Sequence, residues 1–362
     1  GMAGHSRIVN DSTKEAGRLA QRRWIAGTVG GEYAAMLRKI LIAAAVLVLV
    51  VVGTFAGVVA FDSPAAPPVL AAGNSIPGIE KWNFAELPQR QSIKARDGAP
   101  LNYRLYPGRP DRVVVLVHGS TGSGVEMHKL AQALQSAGAT VYAIALRGHG
   151  GSGIQNGDVS YRGQLDDDLA DLVKAVGVDG KGVRRTLTGF SSGGGFVLRI
   201  ASGPHAALFD DYLAISPYVA QDAPTNKPNA GGWAGVALPR ILALSVLDGF
   251  GLPWFQGLPA VHFATPAKAD DNRTPVYSFR LMTSLQLGRD WRAAIARIGA
   301  PTRIVVGAND ELFNSDQFQP MVQAINPRIG VTIVPNEGHL GMIADAAATT
   351  RAAAAWKELS GE

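Results

Sequence analysis

The segment Arg185-Thr-Leu-Thr-Gly-Phe-Ser-Ser-Gly-Gly-Gly-Phe places Gly189, Ser191 and Gly193 in a Gly-x-Ser-x-Gly pattern. A serine on a sharp turn between a strand and a helix can serve as a nucleophile. Small residues two before and two after it let neighbouring backbone approach, and the helix N-terminus favours developing negative charge. Alone the pattern is weak. A chain with 43 Gly would contain it by chance in roughly one case in four. Here an apolar run precedes it and a helical run follows, which is the context the chemistry needs. Ser192 is the rival nucleophile, but Phe190 stands where its first glycine should be.

A serine nucleophile requires a base and an acid to orient that base. Arg303-Ile-Val-Val-Gly-Ala-Asn-Asp puts Asp310 just past a buried strand, and Val331-Thr-Ile-Val-Pro-Asn-Glu-Gly-His puts His339 after the next one. Taken singly, a loop aspartate reads as a solvated turn residue and a lone histidine as structural. Strand context and the chain order Ser, Asp, His select them together. Glu311 is the nearest rival acid. His118 and His149 are the rival bases, both upstream of Ser191. The Gly-rich turn Val117-His118-Gly119-Ser120-Thr121-Gly122 directly follows a central apolar strand. Backbone N–H groups of such a turn can hold a substrate oxyanion. The expected donors are Ser120 and Ser192, with Thr121 as runner-up for the first.

Alternating strands and helices must carry these residues. Gln91–Arg96 and Leu101–Tyr106 flank Asp97-Gly98, a hairpin signal. Arg112–Val117 is a continuous apolar run, as a strand covered on both faces requires. Strands are further expected at Thr140–Ala145, Arg185–Thr188, Tyr212–Ile215, Arg303–Val306 and Val331–Val334. Helices are expected at Val125–Ala137, Asp166–Val176 and Gly193–Ala201, and after each of the last two strands. This alternation implies an α/β fold, with a mostly parallel sheet and helices on both faces. Residues 218–288 break it. They are rich in Pro and Gly and carry Trp233, Phe250, Trp254, Phe255 and Phe263. No βα unit is legible there, and the stretch is expected to be a cap whose aromatics favour an apolar acyl group.

The chain has 362 residues, no Cys and 17% charged residues. That excludes disulfides, thiolate metal sites and a cysteine nucleophile, and it is too apolar for a disordered chain. The net charge of +5 is uneven. Residues 1–61 hold seven Lys/Arg and three Asp/Glu, leaving 27 basic and 26 acidic side chains in the remainder. A nearly neutral body has no stripe for a phosphate backbone, so nucleic acid is not an expected partner. No Cys/His cluster suggests a metal, and no cofactor is implied.

Ile40–Phe61 is 22 residues without a charged, Asn or Gln side chain. As a helix it would span roughly 33 Å, a bilayer core. Arg38 and Lys39 precede it and no Lys or Arg follows until Lys81. The positive-inside rule then implies a basic cytoplasmic tail (1–39), a transmembrane anchor (40–61), a Pro/Ala-rich linker (62–88) and an extracytoplasmic domain (89–362). The expected location is the inner membrane, with the domain in the periplasm. The alternative is a cleaved signal sequence, with Val58-Val59-Ala60 or Val69-Leu70-Ala71 as cleavage sites; the long tail and long apolar run weigh against it.

His118-Gly119-Ser120, Arg147-Gly148-His149-Gly150-Gly151-Ser152, Gly189-Phe190-Ser191-Ser192-Gly193-Gly194, Gly307 with Asp310, and Glu337-Gly338-His339 together resemble the α/β-hydrolase superfamily. The Arg147–Ser152 element resembles the branch of monoacylglycerol lipases, lysophospholipases and serine aminopeptidases. The resemblance covers roughly residues 90–360. It implies an α/β-hydrolase fold with a cap insertion. It also implies hydrolysis of a small-molecule or lipid carboxylic ester through an acyl-enzyme. Peptide or amide hydrolysis on the same residues is the alternative; it needs acids to hold an ammonium, and the cap offers Asp222, Asp248, Asp270 and Asp271. A binding protein with an inactive site is the third reading. Nothing in the sequence speaks to oligomeric state.

Overall fold

The structure is a computed structural model that describes residues 5–68, 84–227, 232–265 and 273–361. The chain forms two compact units, one ending at Asp62 and the other beginning at Ser63.

The first unit is a single helix, α1 (His5–Phe61). Its C-terminal stretch is long and apolar enough to cross a membrane, with a mean hydropathy of 2.8. The side chains from Ile40 to Val52 are exposed. The helix also runs back through the basic segment before Ile40, where Ala, Leu, Arg, Glu and Lys supply helix-forming side chains. The signal-cleavage alternative at Val69-Leu70-Ala71, most of the linker, Asp270 and Asp271 lie outside the described residues.

The second unit is built on eight strands: β1 (Arg90–Lys94), β2 (Pro100–Tyr106), β3 (Arg109–Val117), β4 (Ala139–Ile144), β5 (Arg184–Phe190), β6 (Asp211–Ile215), β10 (Thr302–Gly307) and β11 (Gly330–Val334). They lie in the order β1-β2-β4-β3-β5-β6-β10-β11. β2 is antiparallel to both neighbours and the strands from β4 to β11 are parallel. The apolar runs become the buried centre: every residue of β4 and β6 is buried, as are Val113–Val117 of β3. Their valines and isoleucines suit a sheet covered on both faces.

Helices α2 (His128–Ser136), α9 (Gly341–Ala344) and α10 (Ala346–Ser360) pack together over one face. Trp356 of α10 lies fully inside that layer, its indole N–H donating to Thr186 Oγ1 at 3.0 Å. α3 (Gln164–Ala175), α4 (Ser192–Ala201), α7 (Trp291–Arg297) and α8 (Ser315–Ile325) belong to the other layer, where Arg199 of α4 pairs with the buried Asp166 of α3. The helix expected from Val125 begins as a 3-10 turn over Val125–Met127, because Gly124 enters it with a left-handed φ of 89°.

The chain winds one way from β3 to β4 and the other way from β5 to β6. The connections leaving β3 and β5 therefore diverge, and a crevice opens between their C-terminal ends, where a parallel sheet presents ligand-binding groups.

The insertion is more ordered than its sequence suggests. β7 (Ala234–Val236), β8 (Pro259–Phe263) and β9 (Val276–Ser278) form a second, antiparallel sheet, with α5 (Leu238–Gly249) between the first two strands and α6 (Phe279–Leu285) after the third. Two of these strands have three residues each, too short for a period-two pattern to register.

Candidate active site

Ser191 directly follows β5 and caps α4 with φ 55° and ψ −118°, a conformation rarely tolerated by a residue with a Cβ. The fold holds it there by close approach on both sides. A Cβ on Gly189 would run into the Gly193 carbonyl, and a Cβ on Gly193 would run into the His118 carbonyl. The two glycines are thus needed because the start of α4 presses against the ends of β5 and β3. Ser191 N–H donates to Ile215 O at 2.9 Å, and its carbonyl accepts from Gly195 N–H and Tyr218 N–H.

His339 and Asp310 arrive at the same point from the loops after β11 and β10. His339 Nε2 is 3.1 Å from Ser191 Oγ, and His339 Nδ1 is 2.8 Å from Asp310 Oδ2. All three residues are buried. The imidazole is packed between Phe190, with centroids 4.7 Å apart, and Phe313, at 5.2 Å. Asp310 Oδ1 accepts the backbone N–H groups of Leu312 and Phe313. Burial pushes the Asp310 carboxyl up, but the charge and hydrogen bond of His339 and the Leu312 N–H outweigh it, so its pKa lies below the usual carboxylate value. From the cap side, Lys227 Nζ donates to the Asp310 carbonyl at 2.6 Å.

The rivals are all engaged elsewhere. Glu311 accepts the His339 backbone N–H at 2.7 Å, so it holds the loop and not the ring. Ser192 is the first residue of α4. His118 and His149 lie against each other, centroids 4.8 Å apart and planes tilted by 58°, in a separate buried cluster. Leu146 N–H donates to His118 Nε2, so His118 carries its proton on Nδ1, facing Gly119 O at 2.8 Å. His149 Nδ1 faces Arg147 O, which leaves Nε2 to accept the Tyr277 hydroxyl at 2.6 Å. Burial pushes both imidazoles down, His149 well below its ordinary value, with His118 beside it adding to the effect.

Tyr277 is the residue that sequence reading missed. It sits on β9 of the cap, and no motif surrounds it. Its oxygen accepts Thr121 N–H at 2.9 Å while its hydroxyl hydrogen goes to His149. Thr121, with a φ of 64°, is thereby fixed and its N–H is already committed. Ser120, beside it, is partly exposed.

The Arg147–Ser152 loop proves to be a brace. Arg147 is buried and reaches Asp168 of α3 at 2.7 Å and Asp97 of the β1–β2 turn at 2.8 Å. Burial opposes its charge, but the two carboxylates outweigh that cost and raise its pKa. Ser152 Oγ accepts Asn102 N–H, and Gly148 O accepts the Thr274 hydroxyl of the cap. Among the described residues no group of three or more His, Asp or Glu could hold a metal ion.

The cap aromatics divide. Phe263 packs between Trp233 and Tyr277, at 5.2 and 4.8 Å between centroids, and is buried. Phe250, Trp254 and Phe255 are 79%, 57% and 60% exposed. The end of α5 and the loop after it, around Gly249 and Gly251, carry these three rings toward solvent. Of the cap acids described, Asp222 accepts the Trp291 indole N–H, and Asp248 pairs with Arg162.

Residues 108–340 match the family described as serine aminopeptidase, S33. Over 88 residues the chain is 36% identical to a monoacylglycerol lipase of Mycolicibacterium smegmatis, a stretch covering 24% of this chain and 31% of that lipase. Its fold is similar to a soluble variant of monoglyceride lipase from Saccharomyces cerevisiae, with TM-score 0.58 and 18% identity over 77% of this chain and 97% of the other. A Paleococcus ferrophilus monoacylglycerol lipase gives TM-score 0.54 and 19% identity over 72% and 98%. A family match over well more than half of the residues, on an α/β-hydrolase sheet, places this chain in the serine aminopeptidase S33 family of hydrolases.

Proposed function

We propose that the chain is a serine hydrolase that cleaves a lipid carboxylic ester, of the monoacylglycerol or lysophospholipid kind, through an acyl-enzyme. The observation that carries this is the hydrogen-bonded line from Ser191 Oγ through the His339 ring to Asp310. His339 Nε2 removes the Ser191 hydroxyl proton as Oγ attacks the ester carbonyl. The oxyanion that forms accepts the backbone N–H groups of Ser120 and Ser192; Thr121, the runner-up, has its N–H bonded to Tyr277. The imidazolium then returns the proton to the departing alkoxide, which leaves as the alcohol. Water, deprotonated by the same nitrogen, attacks the acyl carbon and regenerates Ser191. Asp310 holds the ring orientation and stabilises its charged form.

An ester fits better than an aminoacyl substrate. The cap acids described are paired with Trp291 and Arg162, and so are poor partners for a substrate ammonium. We further assign α1 residues 40–61 to a membrane anchor, residues 1–39 to the cytoplasm, 62–88 to a linker and 89–362, with a cap at 218–288, to a periplasmic catalytic domain. The basic residues before Ile40 support that orientation.

Ser191→Ala should lower hydrolysis of p-nitrophenyl esters and monoacylglycerols by on the order of 10³-fold or more, with the fold retained. Near wild-type turnover in that variant would overturn the nucleophile. Faster cleavage of aminoacyl anilides than of esters by the unaltered chain would overturn the substrate class.

A further inference from the structure

Residues 308–314 carry the chain from the end of β10 to the start of α8, and Asp310 stands among them. Such a loop has no ladder of its own, so its shape depends on where its backbone groups are bonded. One side is held by the chain that leads to His339: Ala308 N–H donates to Val334 O and Asn309 N–H to Glu337 O, both at 2.8 Å. The other side is held by the first segment of the cap. Asn314 N–H donates to Thr225 O at 2.8 Å, Lys227 N–H donates to Leu312 O at 3.2 Å, and Asn226 forms an antiparallel bridge with Phe313. The Asn314 side chain also donates to Pro224 O at 3.1 Å and to Asn226 O at 3.4 Å.

The same residues face both ways. Leu312 and Phe313 give their N–H groups to Asp310 Oδ1, and both also meet the cap segment. Phe313 sets its ring edge-on against His339. Lys227 closes the clasp, because its ammonium bonds the main chain of the acid itself, at the Asp310 carbonyl, 2.6 Å away. A charged donor makes a stronger bond to a carbonyl than a neutral one, and Lys227 is half-buried, where water competes less. Thr225, two residues earlier, is fully buried and anchors the segment. The returning segment of the cap does the corresponding work on the Gly119–Gly122 loop, where Thr274 N–H donates to Thr121 O at 3.2 Å beside the Tyr277 contact.

We infer that Lys227 is a positioning residue for the catalytic acid: by holding the Asp310 carbonyl it fixes where the carboxylate lies, and so how His339 Nε2 is aimed at Ser191 Oγ. The inference rests on the reading of Ser191, His339 and Asp310 as a triad. It adds to that reading a task for the cap, which helps to assemble the catalytic line besides covering it. Small misplacements of a catalytic group slow the chemical step far more than they weaken substrate binding. The signature of losing Lys227 is therefore a lower kcat at constant KM, together with a less reactive Ser191.

Lys227→Met keeps the aliphatic stem and removes the ammonium. In the full chain, the rate of Ser191 labelling by a fluorophosphonate and kcat on a short p-nitrophenyl ester should both fall about tenfold, with KM within about twofold of its starting value. Lys227→Arg restores a charged donor and should recover most of the loss. Lys174→Met, at an exposed position of α3, is the control and should behave as the unaltered chain. If Lys227→Met folds poorly, Asn314→Ala decides the matter: it removes the side-chain bonds to Pro224 and Asn226 from the loop side and should slow labelling several-fold. Undiminished labelling of the folded variant would overturn the inference. So would a raised KM at unchanged kcat, since Lys227 would then meet substrate, and so would equal losses in the Met and Arg variants, since the ammonium would then be irrelevant. An unaltered chain that neither takes the label nor cleaves any ester would instead refute the hydrolase reading, and this inference with it.

Discussion

Two histidine clusters sit at the C-terminal end of the same sheet and differ in what they leave free. In one, His339 has Asp310 on Nδ1 and Ser191 Oγ on Nε2, so a proton can pass between ring and hydroxyl. In the other, His118 and His149 have each ring nitrogen matched to a backbone group or to Tyr277. The first cluster is joined to a carboxylate that stabilises its charged form. Among the described residues no carboxylate lies at hydrogen-bonding distance of the second, and burial pushes both rings below their ordinary value. Residue type is therefore a poor guide to chemistry here. In the proposed mechanism the carboxylate on one nitrogen makes a base of the other; a carbonyl, an amide N–H or the Tyr277 hydroxyl on each nitrogen makes a strut.

The contrast can be broken most sharply by exchanging roles. His339→Gln should lower kcat/KM on a short ester by about 10³-fold or more, whereas His149→Gln should lower it by less than about tenfold and mainly reduce stability. Equal losses of rate in the two variants, with both folded, would erase the distinction. Kinetics on a soluble ester beside thermal unfolding of the same preparations would decide it.

Tyr277→Phe sharpens the comparison from the cap side. It removes the oxygen shared by Thr121 N–H and His149 Nε2. Leaving buried polar groups unpaired should cost on the order of 1–3 kcal/mol of stability. The loop from Gly119 to Gly122 would also loosen, so kcat should fall several-fold while KM holds. A rise in KM with kcat intact would show that Tyr277 meets substrate instead of holding the loop.

The smallest effect lies in the pH dependence of stability. His118 and His149 are held below their ordinary values when folded, while in the unfolded chain they take up protons near pH 6.5. Below that pH the unfolded state binds more protons, so stability falls as pH falls, by up to about 1.4 kcal/mol per pH unit for each ring. Asp310, held low in the fold, adds its own loss only as pH drops below about 4. Denaturant midpoints between pH 7 and 5 should show this slope, and His149→Gln should remove about half of it. An unchanged slope in the variant would mean that other groups set the acid sensitivity.

What the sequence determined by itself was whatever is local or ordered along the chain. Apolar runs such as Val113–Val117 specify strands because both faces must be covered. Gly189 and Gly193 specify a tight junction because backbone lies where a Cβ would be. The order of Ser191, Asp310 and His339, each after a strand, follows from the way a parallel sheet gathers its loops at one end. Three things were decided only by the tertiary structure. One is the contact itself between His339 and Ser191, which the sequence only places in order and the fold closes to 3.1 Å across 148 residues. Another is the link from Tyr277, on a strand too short to show a pattern, to His149, 128 residues away in a loop. The last is the direction of α5. Its apolar stripe would be read from spacing alone as a buried face, and only the packing of Ala243 and Leu244 beneath it turns Leu238, Leu242 and Val246 outward. Periodicity identifies a face, but its surroundings decide whether that face meets protein, water or lipid.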